Sequence, residues 1–269
     1  MTDRYAVIGH PIAHSKSPLI HAAFARQCGQ DIVYEAILAP LDGFRAAVAA
    51  FRAAGGKGLN VTLPFKPEAL KLADKPTERA RLAGAANTLR FDQDGVFADN
   101  TDGVGLVRDL MRLGQDLPGR RVLILGAGGA ARGVILPLLE AQPACVAIAN
   151  RTASKAQALA REFSPFGAPI AGGFDDFAGG AFDLVINATS ASLGGEGLAL
   201  PAGLFAPGAL AYDMAYGKGE TPFLAAARRL GAARLADGLG MLVEQAAESF
   251  FLWRGVRPQT APVLAMLRK

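Results

Sequence analysis

Arg121-Val122-Leu123-Ile124-Leu125-Gly126-Ala127-Gly128-Gly129-Ala130-Ala131-Arg132-Gly133 decides how the rest of this chain is read. An apolar run of strand length breaks on a glycine-rich turn and resumes at helical spacing from Val134 to Glu140. That strand–turn–helix context lifts a glycine fingerprint above a chance match. Gly126 permits the tight turn, Gly128 lets the backbone approach a pyrophosphate, and Ala131 takes the third small position, where helix packs on strand. Free N–H groups and the dipole at the helix start then attract phosphate.

A second apolar run, Cys145 to Ala149, leads into Asn150-Arg151-Thr152-Ala153-Ser154-Lys155. An NAD site usually carries an acidic residue about 20 positions beyond the fingerprint, to bind the ribose 2′-OH. Here that place holds Asn150, with Arg151 beside it and Lys155 one helical turn on. A carboxylate would repel a 2′-phosphate, whereas a guanidinium binds one through two charge-assisted hydrogen bonds. An ordinary turn and a solvated arginine would each be unremarkable alone; in this context and with this basic tail, they read as an NADP-binding Rossmann unit.

The chain has 269 residues, 51% hydrophobic and 19% charged, enough for one large or two modest domains with a substantial core. Its net charge of +4 is spread without a basic block, which argues against nucleic acid as a partner and suits anionic small molecules. Cys28 and Cys145 lack metal-like or redox-like spacing and read as reduced core thiols. The N-terminus carries no signal-peptide pattern, and no charge-free apolar run has the length of a membrane span. A cytoplasmic protein without metal or membrane is expected, with monomer and homodimer both open.

Strands are predicted at Tyr5–Gly9 and Ile32–Leu38, and a strand with one polar side where Asn60, Thr62 and Pro64 alternate with Leu59, Val61 and Leu63. Ser17 before Pro18 suits a helix cap, and Asp42 caps the next helix. Capping accounts for Ser17 but not for Ser15 or Lys16; a hydroxyl-rich loop at a strand end equally suits a polyol or carboxylate ligand. Asp92-Gln93-Asp94-Gly95 signals a hairpin. Lys66 just past a strand end is either a site residue or surface charge, and Asp102 is either a helix cap or part of the polar cluster around it. Further strand–helix alternation through Phe182–Ser190 and Leu210–Tyr216 supports a doubly wound parallel sheet. After Gly238, Leu242, Ala246, Phe250 and Trp253 recur at helical spacing, with Gln245 and Glu248 among them, and a short helix closes the chain.

A nicotinamide cofactor carries the hydride, so the protein must position the acceptor and manage one proton. Lys66 and Asp102 are the candidates: a lysine beside a carboxylate can be ammonium when a carbonyl becomes alkoxide, and amine in reverse. Sequence spacing does not show that they meet.

The runs Pro11-Ile12-Ala13-His14-Ser15-Lys16-Ser17-Pro18, Asn60-Val61-Thr62-Leu63-Pro64-Phe65-Lys66, Gly84-Ala85-Ala86-Asn87-Thr88 and Asp99-Asn100-Thr101-Asp102-Gly103 resemble shikimate dehydrogenases. So do Gly126–Ala131, Asn150-Arg151-Thr152, Asn187-Ala188-Thr189-Ser190, Tyr212-Asp213-Met214 and Asp237-Gly238-Leu239-Gly240-Met241 with Gln245, in the family's order over nearly the whole chain. The resemblance implies reversible, NADP-linked reduction of 3-dehydroshikimate to shikimate in aromatic biosynthesis. It makes Lys66 and Asp102 the catalytic pair, and Ser15, Ser17, Thr62, Asn87, Asp102, Tyr216 and Gln245 the substrate ligands. It assigns Gly126, Ala127, Gly128, Gly129, Ala130, Asn150, Arg151, Thr152, Lys155, Met214 and Gly238 to the cofactor, with Glu78 a weaker carry-over.

The fold it implies is α/β in two domains: a mixed α/β substrate domain at 1–102, a Rossmann-type doubly wound parallel-sheet domain at 103–237, and C-terminal helices at 238–269 returning to the first. His10 stands where the family often has asparagine, and Lys155 where arginine is common. Ala191-Ser192-Leu193-Gly194-Gly195 matches no firm family pattern. Two other readings stay open: a quinate/shikimate relative of broader substrate or cofactor use, which the missing acid at Asn150 disfavours for NAD, and a non-catalytic NADP-binding sensor, which would not need the Lys66/Asp102 pair.

Overall fold

The computed structural model describes residues 2–190, 198–217 and 219–268, so the stretch 191–195 lies outside the described residues. The chain forms two compact α/β units, Met1–Gly105 with Leu242–Lys269, and Leu106–Met241.

The first unit opens with β1 (Asp3–Gly9), α1 (Ser17–Gln27) and β2 (Ile32–Leu38). Tyr5, Ala6, Val7 and Ile8 are all buried, as in a strand covered on both faces, while β2 at the sheet edge leaves Val33 and Leu38 exposed. Lys16, not Ser17, occupies the cap position of α1, and Ser17 is the first helical residue. The Ser15 hydroxyl accepts the Ser17 amide at 3.3 Å, and the cap residue makes no side-chain hydrogen bond to the helix start. Gly43, not Asp42, caps α2 (Phe44–Ala53), one residue later than expected: a turn from Gly43 N–H to the Pro40 carbonyl precedes the helix.

β3 (Gly56–Val61) is followed by α3 (Lys66–Lys71), β4 (Lys75–Pro76), α4 (Glu78–Ala83), and the hairpin of β5 (Thr88–Asp92) and β6 (Gly95–Asp99). The expected alternation past Val61 fails: Asn60 is buried and Leu63 is 67% exposed. The chain turns at Thr62, whose carbonyl accepts the Phe65 amide, and Phe65 takes the core position, stacked 4.8 Å from Phe44. Burial of a side chain of this size contributes about 1.5–3 kcal/mol. The six strands run β2-β1-β3-β5-β6-β4, parallel from β2 to β3 and antiparallel from β3 through β6.

α5 (Asp102–Arg112) leads into the second unit, where β7 (Arg121–Leu125), α6 (Gly129–Glu140), β8 (Cys145–Ala149), α7 (Ala153–Gly167), β9 (Ile170–Gly172), β10 (Phe182–Asn187), β11 (Phe205–Asp213), α8 (Pro222–Arg229) and β12 (Arg234–Asp237) follow. All six strands are parallel, in the order β12-β11-β10-β7-β8-β9. This is the strand order of dinucleotide-binding folds, and the direction of winding reverses between β7 and β10. Short β9 and β12, absent from the sequence reading, occupy its two edges. Cys145 and Cys28 are free and half-buried, not core thiols.

α9 (Leu239–Arg254) and α10 (Ala261–Leu267) complete the chain. Within the first unit, α9 buries Ala246 and Phe250 and sends the Trp253 indole N–H to the Leu89 carbonyl at 2.9 Å. Among the described residues, no helix is long and apolar enough to cross a membrane.

Candidate active site

In the first unit, four of the proposed site residues meet directly. Lys66, at the first position of α3, places Nζ 2.6 Å from Asp102 Oδ2. Asp102, at the first position of α5, receives Asn87 Nδ2 on Oδ1 at 2.8 Å. Both carboxylate oxygens are therefore claimed by side chains from distant segments. The pair is partly desolvated, with side-chain exposures of 24% and 19%, which strengthens its attraction over that of a surface pair.

Gln245, on α9, lies 3.3 Å through Oε1 from Asn87 Nδ2 and from the Thr101 hydroxyl. Its Nε2 donates to the Leu242 carbonyl at 2.9 Å. That leaves the second Nε2 hydrogen for a ligand.

The loop beneath this cluster is tied at several points. Asn100 gives Nδ2 to the Ala85 carbonyl and accepts the Asp102 amide on Oδ1, at 3.0 and 3.1 Å. Buried Asp99 receives Arg79 and Thr77, and Arg79 also reaches Glu248, which pairs with Arg257. Ser15 and Ser17 stand together at the start of α1, and Thr62 directly follows β3. A Cβ on Gly9 would strike the Thr62 methyl, so this glycine lets the end of β1 approach Thr62 closely.

The second unit holds the remaining proposed residues except Glu78, which is exposed at the start of α4 in the first unit. Gly126 has φ +109°, a conformation suited to glycine, and the space a Cβ would enter there is bounded by Ala188 and Thr189 after β10. Gly128 caps α6 without a side-chain hydrogen bond, and open space lies before both Gly128 and Gly129. Gly128, Gly129 and Ala130 are exposed, and Ala127 is half-buried. A helix start with uncapped amides and no side chain in front of it fits a dinucleotide pyrophosphate.

After β8, Asn150 Nδ2 donates to the Thr152 carbonyl at 3.0 Å, closing the turn that exposes Arg151, Thr152 and Lys155. Two exposed cations and no carboxylate at this turn fit a 2′-phosphate. Buried Asn187 donates to Asp213 at 3.0 Å, and Asp213 also accepts the Ala215 amide and the Thr221 hydroxyl, which sets the backbone after β11 at Met214. A Cβ on Gly238 would fall on the Met214 carbonyl. Tyr216, 37% exposed, lies just beyond, and desolvation raises its hydroxyl above the ordinary tyrosine range. Among the described residues, no cluster of three or more His, Cys, Asp or Glu is arranged to hold a metal ion.

The sequence reading did not single out Thr88, Thr101, Asn100, Tyr34 or Ser249, all of which join the polar network around Asn87, Asn60 and Asp102. Thr88, Asn100 and Thr101 lie inside the motif runs without a role of their own, and Tyr34 and Ser249 are polar residues on otherwise apolar segments.

The chain matches three family descriptions: the shikimate dehydrogenase substrate binding domain at residues 7–89, shikimate/quinate 5-dehydrogenase at 109–193, and the shikimate 5′-dehydrogenase C-terminal domain at 238–268. It is 65% identical over 269 residues to a shikimate dehydrogenase (NADP(+)) of Nitrosospira multiformis, covering 100% of this chain and 98% of that one. It is 66% identical over 270 residues to the enzyme of the same name from Dechloromonas aromatica, with the same coverage. A shikimate 5-dehydrogenase from Thermus thermophilus, solved in complex with NADP(H) and shikimate, superposes with a TM-score of 0.88 at 36% identity, over 99% of each chain. On fold, motif order and these likenesses, the chain belongs to the shikimate dehydrogenase family.

Proposed function

We infer that this chain catalyses the reversible reduction of 3-dehydroshikimate to shikimate with NADPH. The observation that carries the reading is the Lys66–Asp102 contact, held by Asn87. Bound NADPH supplies the hydride. Lys66 as ammonium gives its proton to the oxygen that becomes alkoxide, and as amine takes the hydroxyl proton in reverse. Asp102 orients Nζ and balances its charge, while Asn87 keeps the carboxylate from turning away.

The Ser15 and Ser17 hydroxyls suit the substrate carboxylate, and Thr62, Asn87, Asp102, Gln245 and Tyr216 suit its hydroxyls. The amides at Gly126–Ala130 would hold the pyrophosphate; Asn150, Arg151, Thr152 and Lys155 the phosphorylated ribose; and Met214 and Gly238 the nicotinamide end. Glu78 stays in the proposal as a further cofactor contact. A reducing, cytoplasmic setting belongs to the same reading.

The test is absorbance at the reduced nicotinamide band with purified protein, shikimate, and either NADP or NAD. Rapid reduction of NADP alone supports the reading. Equal use of NAD, or turnover of quinate, moves it to a broader relative, and cofactor binding without turnover moves it to a sensor.

A further inference from the structure

Thr88 on β5 is fully buried, yet its hydroxyl lies in a run of hydrogen bonds that ends on Asp102. An ionised carboxylate only accepts, so Asn87 turns Nδ2 toward Asp102; the Thr101 backbone N–H only donates, so Asn87 turns Oδ1 toward it, at 2.9 Å. Thr88 Oγ1 lies 2.9 Å from that same Oδ1. Two oxygens at this distance need a proton between them, and an amide oxygen has none to give, so the single Thr88 proton is committed there.

Thr88 Oγ1 in turn accepts Asn60 Nδ2 at 3.2 Å and lies 2.7 Å from Ser249 Oγ, whose hydroxyl also reaches the Gln245 carbonyl at 3.1 Å. Asn60 Nδ2 supplies Ser249 at 2.9 Å, and its identity as nitrogen is fixed by the Asn87 carbonyl at 3.2 Å. Asn60 Oδ1 accepts the Tyr34 hydroxyl at 2.8 Å. From Tyr34 through Asn60 and Thr88 to Asn87, one line of donors leads to Asp102, with Ser249 beside Asn60 and Thr88. Successive hydrogen bonds of one sense polarise each other in a buried setting.

We propose that Thr88 is a positioning residue for the reaction: its proton holds the Asn87 amide so that Nδ2 faces Asp102 and the substrate hydroxyl. The inference rests on the shikimate reading above. Valine at this position keeps the branched shape but sets a methyl group against Asn87 Oδ1, which loses a donor and turns out of line.

The experiment compares wild type, Thr88→Val and Thr88→Ser for kcat, for KM toward shikimate and toward NADP, and for thermal unfolding. Thr88→Val should lower kcat/KM for shikimate about tenfold, the scale of one buried polar group left unpaired. Its KM for NADP should stay within about twofold, and Thr88→Ser should recover most of the loss. Equal losses in the valine and serine variants, or an unchanged kcat/KM in the valine variant, would overturn the proposal. If the valine chain does not fold, Thr88→Ala against the same serine control reads the same difference. An inactive wild type would instead sink the shikimate reading, before any variant is compared.

Discussion

Lys66 Nζ and Asp102 Oδ2 stand 2.6 Å apart although 36 residues separate them in the chain. The end of β3 delivers the lysine, the end of β6 delivers the aspartate, and the sheet places both beside Asn87 on the segment before β5. A proton donor with its charge balanced and its rotation restricted is what carbonyl reduction requires of the protein.

Lys66→Ala should therefore lower kcat by about 10²–10⁴-fold, the usual worth of a positioned acid–base group. Steady-state kinetics with saturating shikimate and NADP checks this, and turnover near wild type would remove Lys66 from the mechanism.

Arg151 lies exposed at the turn after β8, with Lys155 one turn into α7. Arg151→Ala should raise KM for NADP about tenfold and leave KM for NAD nearly unchanged, because only NADP presents a 2′-phosphate to the guanidinium. Equal losses with both cofactors would sink the assignment.

A methyl group at Gly238 would collide with the carbonyl of Met214, which is backbone and cannot swing aside. Gly238→Ala should displace Met214, lower stability by roughly 1–3 kcal/mol and raise KM for NADP. Urea unfolding with kinetics on the same preparation checks both effects. An unaltered midpoint and KM would mean that the two segments part without cost.

His21 on α1 is fully buried and lies 4.2 Å from the Tyr34 ring, interplanar angle 5°. Neither of its ring nitrogens has a hydrogen-bond partner among the described residues. Burial holds its pKa down to about 3, against an ordinary value of about 6.5. The imidazole is neutral in both folded and unfolded chains above pH 6.5, so it then adds no pH dependence. Between roughly pH 6.5 and 3 only the unfolded chain takes up the proton, so stability falls as pH falls, by an amount on the order of 4–5 kcal/mol over the whole window. His21→Phe should flatten the dependence of urea stability between pH 7.5 and pH 5. A variant that keeps the full wild-type slope would assign it to other groups.

The Rossmann unit was legible because its determinants are local. Gly126, Gly128 and Ala131 act within one turn, and apolar runs such as Leu123–Leu125 and Val146–Ala149 mark buried parallel strands without reference to anything distant. The edge strands β9 and β12 were not legible: at three and four residues they are too short to show a period, and pairing with a neighbour defines them. The helix caps were misread at Ser17 and Asp42 for a related reason. The first starts one residue earlier and the second one residue later than the cap preference places it, because the path of the incoming chain sets the boundary as much as residue type does.

By itself the sequence determined the α/β class, the parallel dinucleotide-binding sheet and the residue types at both sites, because each follows from periodicity, glycine geometry or motif order along the chain. Only the tertiary structure decided that Lys66, Asn87, Asp102 and Gln245 touch, and that Tyr34, Asn60, Ser249 and Thr88 stand behind them in one hydrogen-bonded run. Hydrogen bonds act over about 3 Å. Which polar groups come that close is fixed by strand order and helix packing, and no local pattern in the chain encodes it.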